Sequence, residues 1–189
     1  MKRIAVYCGS SSGVNRIYRE QAAYLGRLLA VRQTEVVFGG GKVGLMGILA
    51  DAVLKAGGRV TGIIPGFLHV KEVAHDALTE MITVDNMHER KALIYDMSDG
   101  FIALPGGFGT LDELFEMLTW AQLGLHRKPV GILNVNGYYD SILMGIDTMV
   151  SEGFLKVDNQ EIIQVSGKAE DLLQRMESYQ APPLPKWIK

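Results

Sequence analysis

The stretch FIALPGGFGTLDE, residues 101–113, joins a short apolar run to a glycine-rich turn and the start of a helix. Gly106, Gly107 and Gly109 permit positive φ and close approach of the backbone, so that successive N–H groups can point at one phosphate. Thr110 adds a hydroxyl, and the helix adds the positive end of its dipole. The stretch therefore predicts a phosphate site at a strand-to-helix turn.

Two carboxylates, Asp112 and Glu113, follow inside the same predicted helix start. Acidic residues at a helix start are ordinarily partners of the helix dipole. Beside a loop shaped for phosphate, however, a carboxylate also faces whatever the phosphate is attached to. The combination indicates chemistry on a phosphorylated small molecule.

Apolar runs typical of buried strands alternate with helical spacing along the chain. Continuous apolar strands separated by helices predict an α/β fold, a Rossmann-like doubly wound parallel sheet with helices on both faces. A length of 189 residues suits one packed domain, which we expect over residues 1–180, with a proline-containing C-terminal tail over 181–189 along the surface. The predicted strands are residues 4–8, 36–38, 60–64, 81–84, 100–104 and 130–134.

A second glycine-rich turn, GGGKVGLMG at residues 39–47, follows the predicted second strand. It fits the dinucleotide pattern G-x-G-x-x-G, but the next strand ends in Pro65 without an acid for the ribose, which argues against NAD. No G-x-x-x-x-G-K-[ST] pattern occurs, so nucleoside triphosphate hydrolysis has no support. Gly44 and Gly47 serve either close packing of helix on sheet or ligand contact. Both glycine-rich turns, and the turn at residues 9–13, fall where parallel sheets bind ligands.

The composition of the chain indicates its compartment and argues against several classes of partner. A net charge of −2 without a basic block makes nucleic acid and anionic membranes poor partners. The single cysteine, Cys8, excludes a disulfide framework, favours the reducing cytoplasm and is expected in the core. The four histidines lack metal-ligand spacing, so no metal site is expected. The N-terminal apolar run is too short for a signal peptide, and no stretch reaches membrane-spanning length.

A polar cluster, MHERK at residues 87–91, begins a predicted helix directly before the strand that leads to the phosphate loop. Such a cluster is usually a solvated helix start, but its position favours a role in the site. Arg90 offers a planar, permanently charged fork for a phosphate or for charge that develops near a sugar. Lys91 is a weaker candidate of the same type.

Three motifs in this order resemble the Lonely Guy family, the cytokinin riboside 5′-monophosphate phosphoribohydrolases that are often mislabelled lysine decarboxylases. They are residues 39–47, 87–91 and 105–113, and the last matches the family pattern P-G-G-x-G-T-x-x-E throughout. The similarity extends through WAQLG at residues 120–124 to GYY at 137–139. An amino-acid decarboxylase would need a Schiff-base lysine and a larger fold, and nothing in the sequence supplies that constellation.

The resemblance implies hydrolysis of the N-glycosidic bond of an adenosine 5′-monophosphate, with or without an N6 substituent, to free base and ribose 5-phosphate. It also implies a nucleotide-binding homodimer with the active site near the interface, no metal or organic cofactor, and a nucleotide monophosphate as partner. Carried over by motif, Arg90 and Glu113 are the catalytic pair, and residues Gly106, Gly107, Gly109 and Thr110 form the phosphate loop. The other candidate substrate contacts are Gly9, Ser10, Gly40, Gly41, Glu72, Met87, Lys91, Phe108, Leu111, Asp112 and Thr119.

Two questions remain open at the level of sequence. Glu113 is either a base that activates water or an electrostatic stabiliser of an oxocarbenium-like transition state. The chain is either this enzyme or a non-catalytic carrier of a phosphorylated ligand, similar to the molybdenum-cofactor carrier proteins. A carrier needs the loop but not the pair, so the joint presence of Arg90 and Glu113 favours the enzyme.

Overall fold

Seven parallel strands form one sheet in the computed structural model, which describes residues 1–69 and 73–183. The strand order is β4-β3-β2-β1-β5-β6-β7, so the chain winds outward from the central β1 first to one edge and then to the other. The connections therefore diverge between β1 and β5, where doubly wound sheets bind their ligands. The strands are β1 Arg3–Tyr7, β2 Glu35–Phe38, β3 Val60–Pro65, β4 Glu80–Val84, β5 Gly100–Ala103, β6 Val130–Leu133 and β7 Ile163–Ser166.

Helices cover both faces of the sheet, as the alternating pattern predicts. One core layer packs α1, α2 and α7 against the sheet, and the opposite layer packs α3, α4 and α5. None of the helices in the described part of the chain is long and apolar enough to cross a membrane. The helices are α1 Arg16–Val31, α2 Gly44–Lys55, α3 Met87–Met97, α4 Phe108–Gln122, α5 Asp140–Ser151, α6 Val157–Gln160 and α7 Ala169–Ser178.

Strand β1 shows why the central strands are continuous apolar runs in the sequence. Ile4 and Val6 belong to the core layer of α1, α2 and α7, whereas Ala5 and Tyr7 belong to the layer of α3 and α4. Successive side chains of a strand point to opposite faces, and here both faces are covered. The predicted fold class is confirmed, and Cys8 lies buried in the core as expected.

The sequence-based assignment missed strand β7. Its four residues are only half-buried, and it pairs with β6 alone at the edge of the sheet. An edge strand lacks the continuous burial that marks the central strands. At the C-terminus the structure describes residues 181–183, and residues 184–189 of the predicted tail lie outside the described residues.

Gly26 permits the close crossing of α1 and α2. A Cβ atom at this position would lie 2.8 Å from the carbonyl oxygen of Leu49 and 3.0 Å from the Cβ of Ala52. Gly145 in α5 differs, because a Cβ atom there would meet nothing within 4 Å. Alanine at Gly145 therefore changes helix propensity alone, whereas alanine at Gly26 changes helix propensity and also crowds the neighbouring helix.

We predict that Gly26→Ala lowers the free energy of unfolding by about 1 kcal/mol or more, because overpacking outweighs the gain in helix propensity. Gly145→Ala, the matched control, should raise it by about 0.5–1 kcal/mol. Urea denaturation of both variants and the wild type measures the difference. Equal stabilisation by the two substitutions would show that the crossing has room for a methyl group.

Candidate active site

A cavity of about 430 Å³ opens beyond the carboxyl ends of the central strands. Gly9 and Ser10 line it from the turn after β1, Gly39 and Gly41 line it from the turn after β2, and the start of α4 lines it from the turn after β5. The three glycine-bearing turns therefore meet at one edge of the sheet. This is the arrangement that the sequence predicted for a ligand site.

The backbone N–H groups at the start of α4, at residues 107–109, have no acceptor among the described residues, and these three residues line the cavity. Gly107 is the N-cap residue, and the first intrahelical bond runs from the Leu111 N–H to the Gly107 carbonyl at 3.1 Å. The N–H groups of the first turn have no partner within a helix, so they are available to an anion. A Cβ atom at Gly107 or Gly109 would meet nothing within 4 Å, so the space in front of both residues is open.

Gly106 is required for a different reason. A Cβ atom there would lie 2.1 Å from the Thr110 Oγ1 atom and 2.9 Å from the Gly9 nitrogen. Thr110 itself is buried beneath the turn. Gly106 and Thr110 therefore fix the shape of the turn by packing, whereas Gly107 and Gly109 leave space for a ligand.

Arg90 and Glu113 form a nearly buried ion pair in the wall of the cavity. Arg90 Nη1 donates to Glu113 Oε1 at 2.7 Å, and the two side chains are 13% and 12% exposed. Arg90 Nε donates to the Ile63 carbonyl at 3.2 Å, which fixes the guanidinium above the end of β3. A Cβ atom at Gly39 would lie 2.0 Å from Arg90 Nη2, so glycine is needed there to admit the guanidinium.

The second carboxylate oxygen of Glu113, Oε2, has no hydrogen-bond partner among the described residues. Glu113 makes one side-chain hydrogen bond within residues 1–69 and 73–183, and that bond uses Oε1. In the same ranges, Glu116 Oε2 is the only side-chain oxygen or nitrogen that is both buried from solvent and without a partner, so Glu113 Oε2 must be accessible to solvent. Glu113 Oε2 is therefore reached from the cavity that this residue lines. Burial raises the pKa of Glu113, and the charge and hydrogen bond of Arg90 oppose that shift only in part.

Lys91 takes part in a separate ion cluster. Its Nζ atom lies 3.1 Å from Asp112 Oδ2 and 3.1 Å from Glu116 Oε1, and its side chain does not line the cavity. Burial by itself lowers the pKa of Lys91, but the two carboxylates outweigh burial and raise it. Lys91 therefore binds carboxylates of α4 rather than facing a ligand, and Asp112 is turned toward it.

The candidate residues divide by position. Five candidates do not line the cavity: Gly40, Lys91, Gly106, Leu111 and Thr119. Thr119 lies in a separate groove between α4 and α5, and its hydroxyl donates to the Phe115 carbonyl at 2.7 Å. Glu72 lies outside the described residues. The candidates that do line the cavity are Gly9, Ser10, Gly41, Met87, Arg90, Gly107, Phe108, Gly109, Thr110, Asp112 and Glu113.

Sequence reasoning missed Tyr7 and, apart from Met87 and Phe108, the apolar part of the lining. Tyr7 is the last residue of β1, and strand alternation places it on the face that carries Arg90 and Glu113. Burial, followed by the charge of Glu113, raises its pKa, so the hydroxyl stays protonated. The position of Tyr7 two residues before the turn at residues 9–13 is the signal that could have identified it. The apolar lining residues outside the sequence-based candidates are Val6, Cys8, Val43, Met46, Ile64, Leu68 and Val73.

Comparison with known proteins gives matches over nearly the whole chain. A family model described as possible lysine decarboxylase matches residues 46–176. The cytokinin riboside 5′-monophosphate phosphoribohydrolase LOG5 of Arabidopsis thaliana is 49% identical over 178 residues, which are 94% of this chain and 78% of that protein. The probable cytokinin riboside 5′-monophosphate phosphoribohydrolase LOGL9 of Oryza sativa subsp. japonica is 47% identical, again over 94% of this chain and 78% of that protein.

A solved structure shares the fold at lower identity. The molybdenum cofactor binding protein from the phototrophic bacterium Rippkaea orientalis matches with a TM-score of 0.70 and 24% identity, over 94% of this chain and 97% of that chain. At this identity the match shows a common architecture alone. It agrees with the doubly wound sheet described above.

The raised pKa of Glu113 predicts how stability depends on pH. The folded protein binds this proton more tightly than the unfolded chain, so the stability that the group contributes is full below its ordinary pKa of 4.5 and is lost as the pH rises through the folded value. We expect the wild type to lose stability relative to Glu113→Gln over that interval. Urea denaturation of both proteins at a series of pH values measures the slope. A wild type that gains stability with rising pH would show that Arg90 outweighs burial.

Proposed function

The chain belongs to the Lonely Guy family of cytokinin riboside 5′-monophosphate phosphoribohydrolases, and we propose that it hydrolyses the N-glycosidic bond of adenosine 5′-monophosphates, with or without an N6 substituent, to free base and ribose 5-phosphate. One observation carries the proposal. A single cavity combines an open helix start for an anion with a nearly buried carboxylate–guanidinium pair. Binding needs only the first of these features, whereas bond cleavage needs both.

The 5′-phosphate binds at the N-terminus of α4. The N–H groups at Gly107, Phe108 and Gly109 and the helix dipole attract its negative charge. Ser10 lines the cavity from the turn after β1 and offers a hydroxyl. Glu113 follows the N-cap by six residues, which is about 9 Å along the helix axis and leaves room for a ribose between the loop and the carboxylate.

Glu113 acts as the general base. Arg90 holds Oε1, and the free Oε2 accepts a proton from the attacking water while the water oxygen bonds to C1′. The bond from C1′ to the base breaks, and its electron pair leaves with the base nitrogen, which takes up a proton. Burial raises the pKa of Glu113, which strengthens it as a base, while Arg90 stabilises the ionised form.

The apolar part of the cavity accommodates the base. The apolar lining away from the phosphate loop comes from α2, from β3 and the segment after it, and from α3. It comprises Met46, Ile64, Leu68 and Met87. Apolar side chains favour burial of a flat base and of a hydrocarbon substituent on it. Their presence supports N6-substituted nucleotides as well as AMP as substrates.

Composition supports a cytoplasmic enzyme with a small-molecule substrate. The sole cysteine, Cys8, is buried in the core, which suits a reducing compartment. A net charge of −2 gives no reason to expect a nucleic-acid partner.

We predict that Glu113→Gln lowers kcat for AMP and for N6-isopentenyl-AMP by about 100- to 10,000-fold, because a carboxamide cannot accept the proton. Binding of AMP should persist, because the helix start is unchanged. Release of free base by the purified proteins measures turnover, and calorimetry measures binding of AMP.

A matched control is Glu89→Gln on α3. Glu89 stands next to Arg90 in the sequence, but its carboxylate accepts from the Asp85 N–H at 3.0 Å and the Asn86 side chain at 3.0 Å, so turnover should remain at the wild-type level. Full activity in Glu113→Gln would contradict the assigned base. A wild type that binds both nucleotides and cleaves neither would favour the carrier of a phosphorylated ligand.

We further propose that the enzyme is a homodimer that associates through α4 and α5. This surface, the α4–α5 face, comprises the two helices and the segments that follow them, and it carries exposed apolar side chains, of which Phe154 is 87% and Met144 63% exposed. Met149 and Phe154 line one groove with Phe115 and Leu118 of α4. Exposed apolar side chains that lie together mark association sites. The face also contains Thr119, in the groove between the two helices. Its other exposed apolar members are Leu123, Leu125, Met149 and Val157.

The dimer is tested by introducing a charge on the α4–α5 face. Wild-type protein should sediment at twice the chain mass of 20.8 kDa, and Phe154→Lys should shift it to the single-chain mass because a lysine cannot be buried unpaired. Val31→Lys introduces the same charge at the exposed end of α1 and should leave the dimer intact. Monomeric wild-type protein, or a dimer that tolerates both changes, would refute association through this face.

A further inference from the structure

Three successive carbonyl groups at the turn from β5 to α4 are each held by a hydrogen bond. The Tyr139 hydroxyl donates to the Leu104 carbonyl at 2.7 Å, and the Gly9 N–H donates to the Pro105 carbonyl at 3.0 Å. The Tyr138 hydroxyl donates to the Gly106 carbonyl at 2.6 Å. Two adjacent tyrosines from the connection after β6 thus hold the loop that leads into the candidate anion site.

The bond to Gly106 bears directly on anion binding. The C=O and N–H of one trans peptide point in opposite directions, so a fixed Gly106 carbonyl also fixes the direction of the Gly107 N–H. Gly107 is the N-cap residue of α4 and lines the cavity. A carbonyl released from the phenol could turn its negative end toward a phosphate and repel it.

The Tyr138 hydroxyl is itself held in position. Its ring makes edge contacts with Tyr18 of α1 at 5.7 Å and with Tyr139 at 5.1 Å between ring centroids. The Asn134 side chain accepts from the Tyr139 N–H at 2.8 Å, which fixes the backbone beside Tyr138. The phenol is therefore a preorganised donor on the outer side of the turn.

We propose that Tyr138 is a positioning residue of the phosphate loop, whose hydroxyl keeps the Gly106 carbonyl away from the bound 5′-phosphate. The proposal rests on the proposed function for the identity of the ligand. Tyr138 does not line the cavity, so it acts on the ligand only through the Gly106–Gly107 peptide. Its loss weakens the binding of phosphorylated ligands and leaves the bond-breaking pair, Arg90 and Glu113, in place.

Tyr138→Phe removes this hydrogen bond and keeps the ring contacts. The KM for AMP and the Kd for ribose 5-phosphate should each rise about 3- to 10-fold, the effect of one hydrogen bond, while kcat stays near the wild-type value. Inhibition by adenosine, which lacks the phosphate, should not change. A general loosening of the structure would weaken adenosine and ribose 5-phosphate alike, so the comparison separates positioning from damage to the fold.

Tyr18→Phe is the matched control. Tyr18 contacts the ring of Tyr138, but its own hydroxyl bonds to none of the residues that the structure describes, so binding and turnover should match the wild type. Unchanged KM and Kd in Tyr138→Phe, or an equal loss of adenosine affinity, would overturn the proposal. Binding of ribose 5-phosphate needs no turnover. A wild type that binds it and cleaves no nucleotide would therefore refute the proposed function. The Kd of wild type and Tyr138→Phe for ribose 5-phosphate would still decide the role of Tyr138.

Discussion

The nearly buried ion pair between Arg90 and Glu113 is the interaction on which the site depends. Each charge alone would be costly to bury, and removing one partner of a buried pair typically destabilises a protein by about 3–5 kcal/mol. The pair also explains the glycine at position 39, which leaves space for the guanidinium. The Ile63 carbonyl accepts a hydrogen bond from the same guanidinium and holds it in place. The pair leaves one carboxylate oxygen unoccupied and reached from the cavity, which is what a general base requires.

The topology of the sheet brings this pair and the anion site together. Because β1 and β5 are neighbours with diverging connections, the turns that follow them border one crevice. Helix α4 supplies both the unpaired N–H groups at its start and Glu113 further along the same helix. One rigid element thus sets the distance between the open helix start and the carboxylate, and α3 supplies the guanidinium that keeps the carboxylate oriented.

Much of the fold and of the site could be predicted from the sequence because the signals are local. Continuous apolar strands and glycine turns each lie within a single short stretch of sequence. Strand β7 could not be predicted in this way, because an edge strand lacks the continuous burial that gives an apolar run. Sequence adjacency groups Lys91 with Arg90, but neighbouring residues of a helix point in different directions. In the structure Lys91 reaches Asp112 and Glu116. The Tyr138 contact with Gly106 spans 32 residues and leaves no local pattern.

The central claim is that the start of α4 holds the 5′-phosphate while Glu113 stands beside the anomeric carbon. A crystal structure of Glu113→Gln with AMP bound tests it most directly, because the substitution preserves shape and removes the base. The account predicts phosphate oxygens within hydrogen-bond distance of the N–H groups of residues 107–110 and the side chain of residue 113 facing C1′ across a water molecule. A phosphate bound elsewhere, or a residue 113 side chain turned away from C1′, would contradict it.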